Sequence, residues 1–227
     1  MESNIIATIA TWLVPLVIAI VFHEVAHGLV ARRLGDPTAH RMGRLTLNPL
    51  KHIDPFGTVV LPMLLAIAKA PVFGWAKPVP VIKERLRNPR RDMVLVALAG
   101  PGMNFLLALV ATMIIGVTLA MSDGQPTGAL DFVARNAINF LLINIFLAVF
   151  NLIPLPPFDG GHVVEGLLPP SLALPFAALG RYAILVLIFL LLILPMLSPE
   201  ANIVARLVSP IVEAIARYFL GLAGAVG

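Results

Sequence analysis

Two histidines four residues apart, with a glutamate directly after the first, close an apolar segment near the N-terminus. The segment 5–22 has no charged residue, and His23-Glu24-Val25-Ala26-His27 follows it. On a helix, His23 and His27 project from one face, so both imidazoles can reach one metal ion. Glu24 is turned by about 100° from His23, where it can hold a metal-bound water without being a ligand. The pattern favours a zinc hydrolase site inside a membrane, and the alternative is two interfacial histidines that end a transmembrane helix.

A third metal ligand is needed, because catalytic zinc usually takes three protein ligands and keeps a fourth position for water. The chain has no cysteine, so histidine and carboxylate are the available ligand types. The candidate is Asp159, because three prolines at 154–157 forbid a continuing helix before it and Gly160-Gly161 permits a sharp turn after it. Such irregular backbone is tolerated at membrane depth where it is buried or lines a wet cavity. The alternative is an interfacial Pro-rich turn in which Asp159 caps a helix that begins near His162.

The composition places the chain among polytopic α-helical membrane proteins. Of its 227 residues, 59% are hydrophobic and 12% are charged, and the mean hydropathy of +0.95 is far above that of an ordinary soluble domain. The net charge of +4 comes from basic residues that cluster in loops, which indicates topology determinants and no nucleic-acid partner. We expect one membrane-embedded domain over 1–227, with its core at 5–168 and C-terminal helices at 172–224.

The expected fold is an all-α polytopic membrane protein with about five to six transmembrane helices. A re-entrant element is expected between the first and second full spans. The predicted spans are 5–34, 92–121, 132–153 and 172–197. A weaker segment at 201–223 carries Arg206, Glu213 and Arg217. It is predicted either to cross the membrane or to lie on its surface as an amphipathic helix.

A short apolar run at 56–68 has basic residues on both sides. Both flanks are therefore expected on the cytoplasmic side, and about 13 residues are too few for a full span. We expect a re-entrant element over 56–81, with a two-helix crossing as the alternative. Trp75 is interpreted as an interface anchor. The segment 77–81, if extended, would offer backbone N–H groups of Lys77, Val79 and Val81 to a substrate strand, and the alternative is a proline-stiffened loop.

Three motifs, taken together in this order, resemble the site-2 protease family of intramembrane zinc metalloproteases. They are His23-Glu24-Val25-Ala26-His27, Ala99-Gly100-Pro101-Gly102-Met103-Asn104, and the run from Asn151 to Gly161. The chain looks like the minimal branch of that family, without PDZ or CBS domains. The resemblance implies that His23, His27 and Asp159 bind one Zn²⁺ per chain. It also implies that Glu24 is the general base and that Asn151 orients the substrate or stabilises the oxyanion.

The activity that the resemblance implies is zinc-dependent endopeptidase cleavage within or near a transmembrane helix, as in regulated intramembrane proteolysis. The implied partners are a transmembrane protein substrate and the lipid bilayer. The implied location is the cell membrane, with several crossings and an active site near the cytoplasmic side. The alternatives are a membrane metal transporter, which gives Glu24 no task, and a catalytically inactive helix-binding regulator, against which the intact Glu24 argues.

The other polar residues support weaker predictions. His162 is interpreted either as a group that supports the metal ligands or as an interfacial histidine at a helix start. His40 and His52 are expected to be solvated or locally hydrogen-bonded. Asn104 and Asn144 lie within predicted spans and are expected to form hydrogen bonds between helices.

Overall fold

The computed structural model describes residues 5–67, 74–198, 202 and 204–224. Within these residues all regular secondary structure is helical. The α-helices are α1 (Ile5–Arg33), α2 (Thr38–Arg41), α3 (Leu61–Ile67), α4 (Pro89–Ala120), α5 (Ala129–Asn151), α6 (Asp159–Leu167), α7 (Pro170–Ala178), α8 (Ala183–Ile188), α9 (Leu194–Leu197) and α10 (Ser209–Leu222). Short 3₁₀ or π-helical turns lie at Pro49–His52, Pro55–Val60, Lys83–Arg85, Leu179–Tyr182, Phe189–Ile193 and Val204–Val208.

The all-α membrane class is confirmed, and the described residues contain three or four candidate spans against the five to six predicted. Thr11–Arg33 of α1, together with α4 and α5, is long and apolar enough to cross a bilayer. A fourth span results if Pro170–Tyr182 and Leu185–Ile193 count as one helix broken by a bend of 70°. The continuous span predicted at 172–197 is therefore bent. The 3₁₀ turn at Leu179–Tyr182, which contains a glycine, directly precedes the bend.

Small residues hold the long helices close together. Ala108 and Ala111 of α4 and Ala137 of α5 are buried in one cluster with Leu141 and Ile145. Small side chains at an interface let helix backbones approach, which matters in lipid because apolar burial between helices gains little there. The three long helices therefore form a packed unit on which the other elements rest.

The C-terminal segment predicted at 201–223 contains α10, which packs on that cluster through Ala216. Its charged residues Arg206, Glu213 and Arg217 are exposed on the other side. The segment is thus amphipathic, but its apolar face is covered by α4 and α5. At 1.5 Å per residue α10 is about 21 Å long, shorter than the apolar core of a bilayer.

The described residues 52–67 and 74–77 leave and rejoin the protein at one place. The backbone N–H of Lys77 donates to the carbonyl of His52 at 2.9 Å, and that of Trp75 donates to the carbonyl of Gly57 at 3.1 Å. These bonds fit both a re-entrant element and a two-helix crossing, since each brings the chain back to the side it left. The inbound helical stretch, Pro55 to Ile67, is about 20 Å long at 1.5 Å per residue, which is short for a full span and favours the re-entrant prediction. The inbound part is the turn Pro55–Val60 followed by α3, and residues 68–73 lie outside the described residues.

A buried carboxylate ties the returning chain to the end of α1. Asp36 is 1% exposed, and it accepts hydrogen bonds from the backbone N–H groups of Ile82 at 2.6 Å and Thr38 at 3.0 Å and from the Thr38 hydroxyl. Burial raises the pKa of Asp36, but these hydrogen bonds outweigh it and hold the pKa below its ordinary value. The contact fixes the loop 74–82 beside α1, where the candidate site lies.

Candidate metal centre

Two histidines of α1 are buried side by side against α4. His23 and His27 are 7% and 9% exposed, and their Nε2 atoms lie 3.0 Å apart. The four-residue spacing puts both rings on one side of the helix, as the sequence predicts. The rings meet edge to face, with centroids 4.6 Å apart.

Asp159 brings a carboxylate to the same point from the first residue of α6. Its Oδ2 lies 3.2 Å from Nε2 of His23 and 3.3 Å from Nε2 of His27. The helix α5 ends at Asn151, and the Pro-rich segment 152–158 turns the chain so that α6 begins beside α1. Phe158 is buried against Phe150, with ring centroids 4.8 Å apart, which anchors the turn. The three residues predicted as metal ligands are therefore together.

The two glycines after Asp159 have a different task from the predicted one. Gly160 and Gly161 lie in the first turn of α6 and do not make a sharp turn. A Cβ on Gly160 would lie 2.3 Å from the carbonyl oxygen of Leu152, and one on Gly161 would lie 2.7 Å from the nitrogen of Pro156. The glycines thus let the start of α6 pack closely on the Pro-rich segment. This packing places Asp159 beside the histidines.

Hydrogen bonds on the far side of each imidazole assign the ring protons. Nδ1 of His27 lies 2.7 Å from the backbone carbonyl of Val96, which can only accept, so this nitrogen carries the proton. Nδ1 of His23 lies 2.6 Å from Oδ1 of Asn104, another acceptor. In a neutral imidazole the second nitrogen then holds a lone pair. Both Nε2 lone pairs face the same point as the carboxylate.

This donor set fits a zinc ion. The Oδ2 atom of Asp159 is buried without a hydrogen-bond donor in the described residues, and the three donor atoms are 3.0, 3.2 and 3.3 Å apart. A tetrahedral zinc with bonds of about 2.0–2.1 Å has ligand atoms about 3.3 Å apart. Three converging acceptors repel one another unless a cation lies between them. Two nitrogens and one oxygen leave a fourth position for water or substrate.

A glycine of α4 gives the histidines their space. A Cβ on Gly100 would lie 2.4 Å from Nε2 of His27 and 2.5 Å from Nε2 of His23. Gly100 belongs to the second motif of the family resemblance, but its contact with the histidines was not predicted. The same helix supplies Val96 and Asn104, whose roles toward the histidines were also not predicted. The signal available in the sequence was the four-residue spacing of Gly100 and Asn104.

Glu24 is hydrogen-bonded to the returning loop, which is the segment 74–82. Its Oε2 accepts a hydrogen bond from the backbone N–H of Val79 at 2.7 Å, while the N–H of Lys77 donates to His52. Two of the three donors that were predicted to be open to a substrate strand therefore have partners within the chain, and that prediction is wrong for them. Trp75, interpreted as an interface anchor, packs its indole over Gly57 and lines the site.

A cavity of about 670 Å³ opens beside the metal-ligand group. All five residues predicted as ligands or catalytic groups line it: His23, Glu24, His27, Asn151 and Asp159. The Nδ2 of Asn151 donates one hydrogen to the carbonyl of Leu147 at 2.9 Å. An amide nitrogen carries two hydrogens, so a second donor remains for a ligand in the cavity. The loop 74–81 forms the opposite wall.

The other histidines lie outside the ligand group. His162 is exposed, lines the cavity and faces Glu165, with Nδ1 3.5 Å from the carboxylate. Nε2 of His52 donates to the carbonyl of Thr46 at 2.9 Å, so it is locally hydrogen-bonded as predicted. Nδ1 of His40 lies 3.4 Å from the guanidinium of Arg32.

Comparison with known proteins gives a consistent family. The family model described as "Peptidase family M50" matches residues 11–139 and 127–194. The "Putative zinc metalloprotease YwhC" of Bacillus subtilis is 35% identical over 211 residues, which cover 88% of this chain and 91% of that protein. The "Putative zinc metalloprotease Rip2" of Mycolicibacterium smegmatis is 32% identical over 187 residues, which cover 82% of this chain and 67% of that protein. No solved structure matches the chain significantly. The chain therefore belongs to peptidase family M50, the site-2 protease family, and is a zinc metalloprotease.

Proposed function

We propose that this metalloprotease cuts a peptide bond within or beside a transmembrane helix of a membrane-protein substrate. The observation that carries the proposal is the position of the ligand group, which lies among three helices that are each apolar and long enough to cross a bilayer. A transmembrane helix in the same bilayer lies at the depth of such a site. We propose His23, His27 and Asp159 as the ligands of one zinc ion.

The chain's own groups divide the remaining chemistry. Zinc, when bound, would polarise the scissile carbonyl and bring the pKa of a bound water toward about 7. Glu24 takes the proton from the attacking water and delivers it to the leaving amine. Oε2 of Glu24 is held by the N–H of Val79, so Oε1 is the oxygen left to accept that proton. The free hydrogen of the Asn151 amide binds the carbonyl oxygen, or orients the peptide, without neutralising Asp159.

The substrate must reach the cavity with its backbone exposed. In an intact helix each carbonyl accepts a hydrogen bond and is shielded from attack. A transmembrane substrate therefore has to unwind locally, so helix-weakening residues near the cut should promote cleavage. Replacing these residues with leucine should slow cleavage by this enzyme.

The proposed site lies near the cytoplasmic side. His27 is six residues before Arg33, the end of α1, or about 9 Å along the axis at 1.5 Å per residue. Basic residues concentrate at this end of the molecule, in 32–51 and 83–91, and short basic loops remain in the cytoplasm. Membership of a peptidase family favours proteolysis over metal transport, and the intact Glu24 argues against an inactive regulator.

The test separates zinc binding from catalysis. Glu24→Gln keeps the length of the side chain and an oxygen for the Val79 N–H, but it removes the base. Zinc per protein should stay near wild type, while cleavage of a model transmembrane substrate falls by about 10²-fold or more. His27→Ala and Asp159→Ala should lose zinc and activity together, because two ligands hold zinc weakly.

Two further variants complete the test. Asn151→Ala should keep zinc and lower turnover. Glu84→Gln, which removes an exposed carboxylate, is the matched control and should behave as wild type. Full cleavage by the Glu24→Gln protein would overturn the assigned mechanism. Cleavage of a soluble peptide of the same sequence as fast as the membrane-embedded substrate would overturn the intramembrane proposal.

A further inference from the structure

We infer that Asn104 and Asn144 form a relay that fixes the proton of His23 on Nδ1 and so keeps Nε2 free to bind zinc. The inference rests on the proposed ligation by His23. Asn104 of α4 and Asn144 of α5 are both 0% exposed, and buried amides require hydrogen-bond partners. The Nδ2 of Asn104 lies 2.9 Å from the Oδ1 of Asn144, which confirms the predicted hydrogen bond between helices.

The direction of the relay starts from a group that cannot change its role. Asn144 lies 2.8 Å from the backbone carbonyl of Phe140, and a carbonyl only accepts. The amide nitrogen of Asn144 must therefore face Phe140, which turns its oxygen toward Asn104. Asn104 must then present its own nitrogen to Asn144. A flipped amide at Asn144 would place two oxygens in contact.

A second backbone carbonyl gives the same orientation independently. The Nδ2 atom of Asn104 lies 3.4 Å from the carbonyl of Ala19 on α1. With its nitrogen between Ala19 and Asn144, Asn104 can offer only its oxygen to His23. The 2.6 Å contact is therefore a hydrogen bond donated by Nδ1 of His23. The hydrogen bond at one ring nitrogen decides the state of the other, so Nε2 is left unprotonated.

The two histidines reach the same state by different means. His27 donates to a main-chain carbonyl, that of Val96, which no substitution of a side chain removes. His23 depends on a side chain that could flip, and Asn144 opposes the flip together with the carbonyl of Ala19. Asn144 is thus a positioning residue that acts on His23 through Asn104, without touching the ligand group. A merely structural hydrogen bond between helices would not need this orientation.

The test measures zinc affinity by competition with a chelator, without using activity. Asn104→Leu removes the acceptor at similar volume and should weaken zinc binding by about 10–100-fold. Asn144→Leu should weaken it less, since Ala19 still orients Asn104. Asn144→Thr should lose less than Asn144→Leu, because a hydroxyl can donate to the carbonyl four residues back and still accept from Asn104. Thr112→Val, which removes another buried polar group of α4, is the matched control and should leave affinity unchanged.

A spectroscopic readout separates the relay from a general packing defect. In the zinc-loaded protein, the Nδ1 protons of His23 and His27 should both appear as downfield, slowly exchanging resonances. Asn104→Leu should remove the His23 resonance and leave that of His27, which donates to the main chain. If this variant fails to fold, the Asn144→Leu and Asn144→Thr pair carries the test.

Wild-type zinc affinity with an intact His23 resonance in Asn104→Leu would overturn the relay. Equal losses in the Leu and Thr variants of Asn144 would do the same. If the proposed zinc ligation by His23 were wrong, the His23→Ala protein would retain its zinc. This result distinguishes a failure of the ligation from a failure of the relay.

Discussion

The replacement of Gly100 by alanine should disable the site while leaving the helix intact. A Cβ at this position would lie 2.4 Å from Nε2 of His27 and 2.5 Å from Nε2 of His23, closer than the 3.0 Å below which real Cβ atoms essentially never lie. Both neighbours are the proposed ligand atoms themselves. The rings must therefore move by roughly half an ångström or more, or α4 must withdraw from α1, and either change disturbs the zinc geometry.

The expected loss of activity in Gly100→Ala follows from how sensitive a zinc site is to the positions of its ligand atoms. A misplacement of about 1 Å in a catalytic group costs on the order of 10²-fold in rate. We therefore expect Gly100→Ala to lower cleavage by about 10²-fold and to weaken zinc binding measurably. Alanine has a higher helix propensity than glycine by about 1 kcal/mol, so α4 itself should not be weakened.

A second glycine of the same helix is the control. Gly102 lies two residues further along α4, and a Cβ there would meet nothing within 4 Å. Gly102→Ala should keep zinc and activity, and its thermal stability should equal or exceed that of wild type. The assay is zinc per protein by elemental analysis, a gel assay on a transmembrane substrate, and thermal unfolding in one detergent. Wild-type activity in Gly100→Ala would refute the close approach of α4 to the histidines.

Two further predictions concern the returning loop. Asp36 has a folded pKa below its unfolded value near 3.9, so its contribution to stability should be complete above about pH 4 and lost as the pH falls through the folded pKa. Thermal unfolding against pH should show wild type more stable than Asp36→Asn at pH 7 with the difference shrinking in acid, and a constant difference would contradict this assignment. Gly57→Ala would place a Cβ 2.3 Å from Nε1 of Trp75, so it should shift the fluorescence of Trp75 in a Trp12→Phe background and lower activity. Gly221→Ala, where a Cβ meets nothing within 4 Å, should do neither, and an unchanged Trp75 spectrum in Gly57→Ala would refute the packing.

The parts of the fold that the sequence predicted are those that depend on local patterns. Long apolar runs at 5–34, 92–121 and 132–153 correspond to α1, α4 and α5, since a helix in lipid must satisfy its own backbone. The approach of Asp159 to the histidines was predictable because three prolines within 154–157 at membrane depth demand a buried or wet surrounding. The basic flanks of 56–81 likewise indicated a chain that returns to the side it left.

The features that escaped prediction depend on which elements meet in space. One of the two alternatives for 77–81 left the N–H groups of Lys77 and Val79 open, but their partners, His52 and Glu24, lie 25 and 55 residues away in the sequence. Tryptophan is a common residue at membrane interfaces, but the sequence did not show that Trp75 packs over Gly57 of the inbound chain. No local pattern records such a distant neighbour.

The histidine pair and α4 fit each other because both follow the same helical repeat. His23 and His27 are four residues apart on α1, and the three positions of α4 that meet them, Val96, Gly100 and Asn104, are also spaced by four. Residues at this spacing share one helix face, so one stripe of α4 provides an acceptor, a gap and a second acceptor in turn. Moving any of the three by one residue would rotate it about 100° away from the site. In this chain, the glycine and the asparagine that follows it by four residues thus match the spacing of the two proposed zinc ligands on the facing helix.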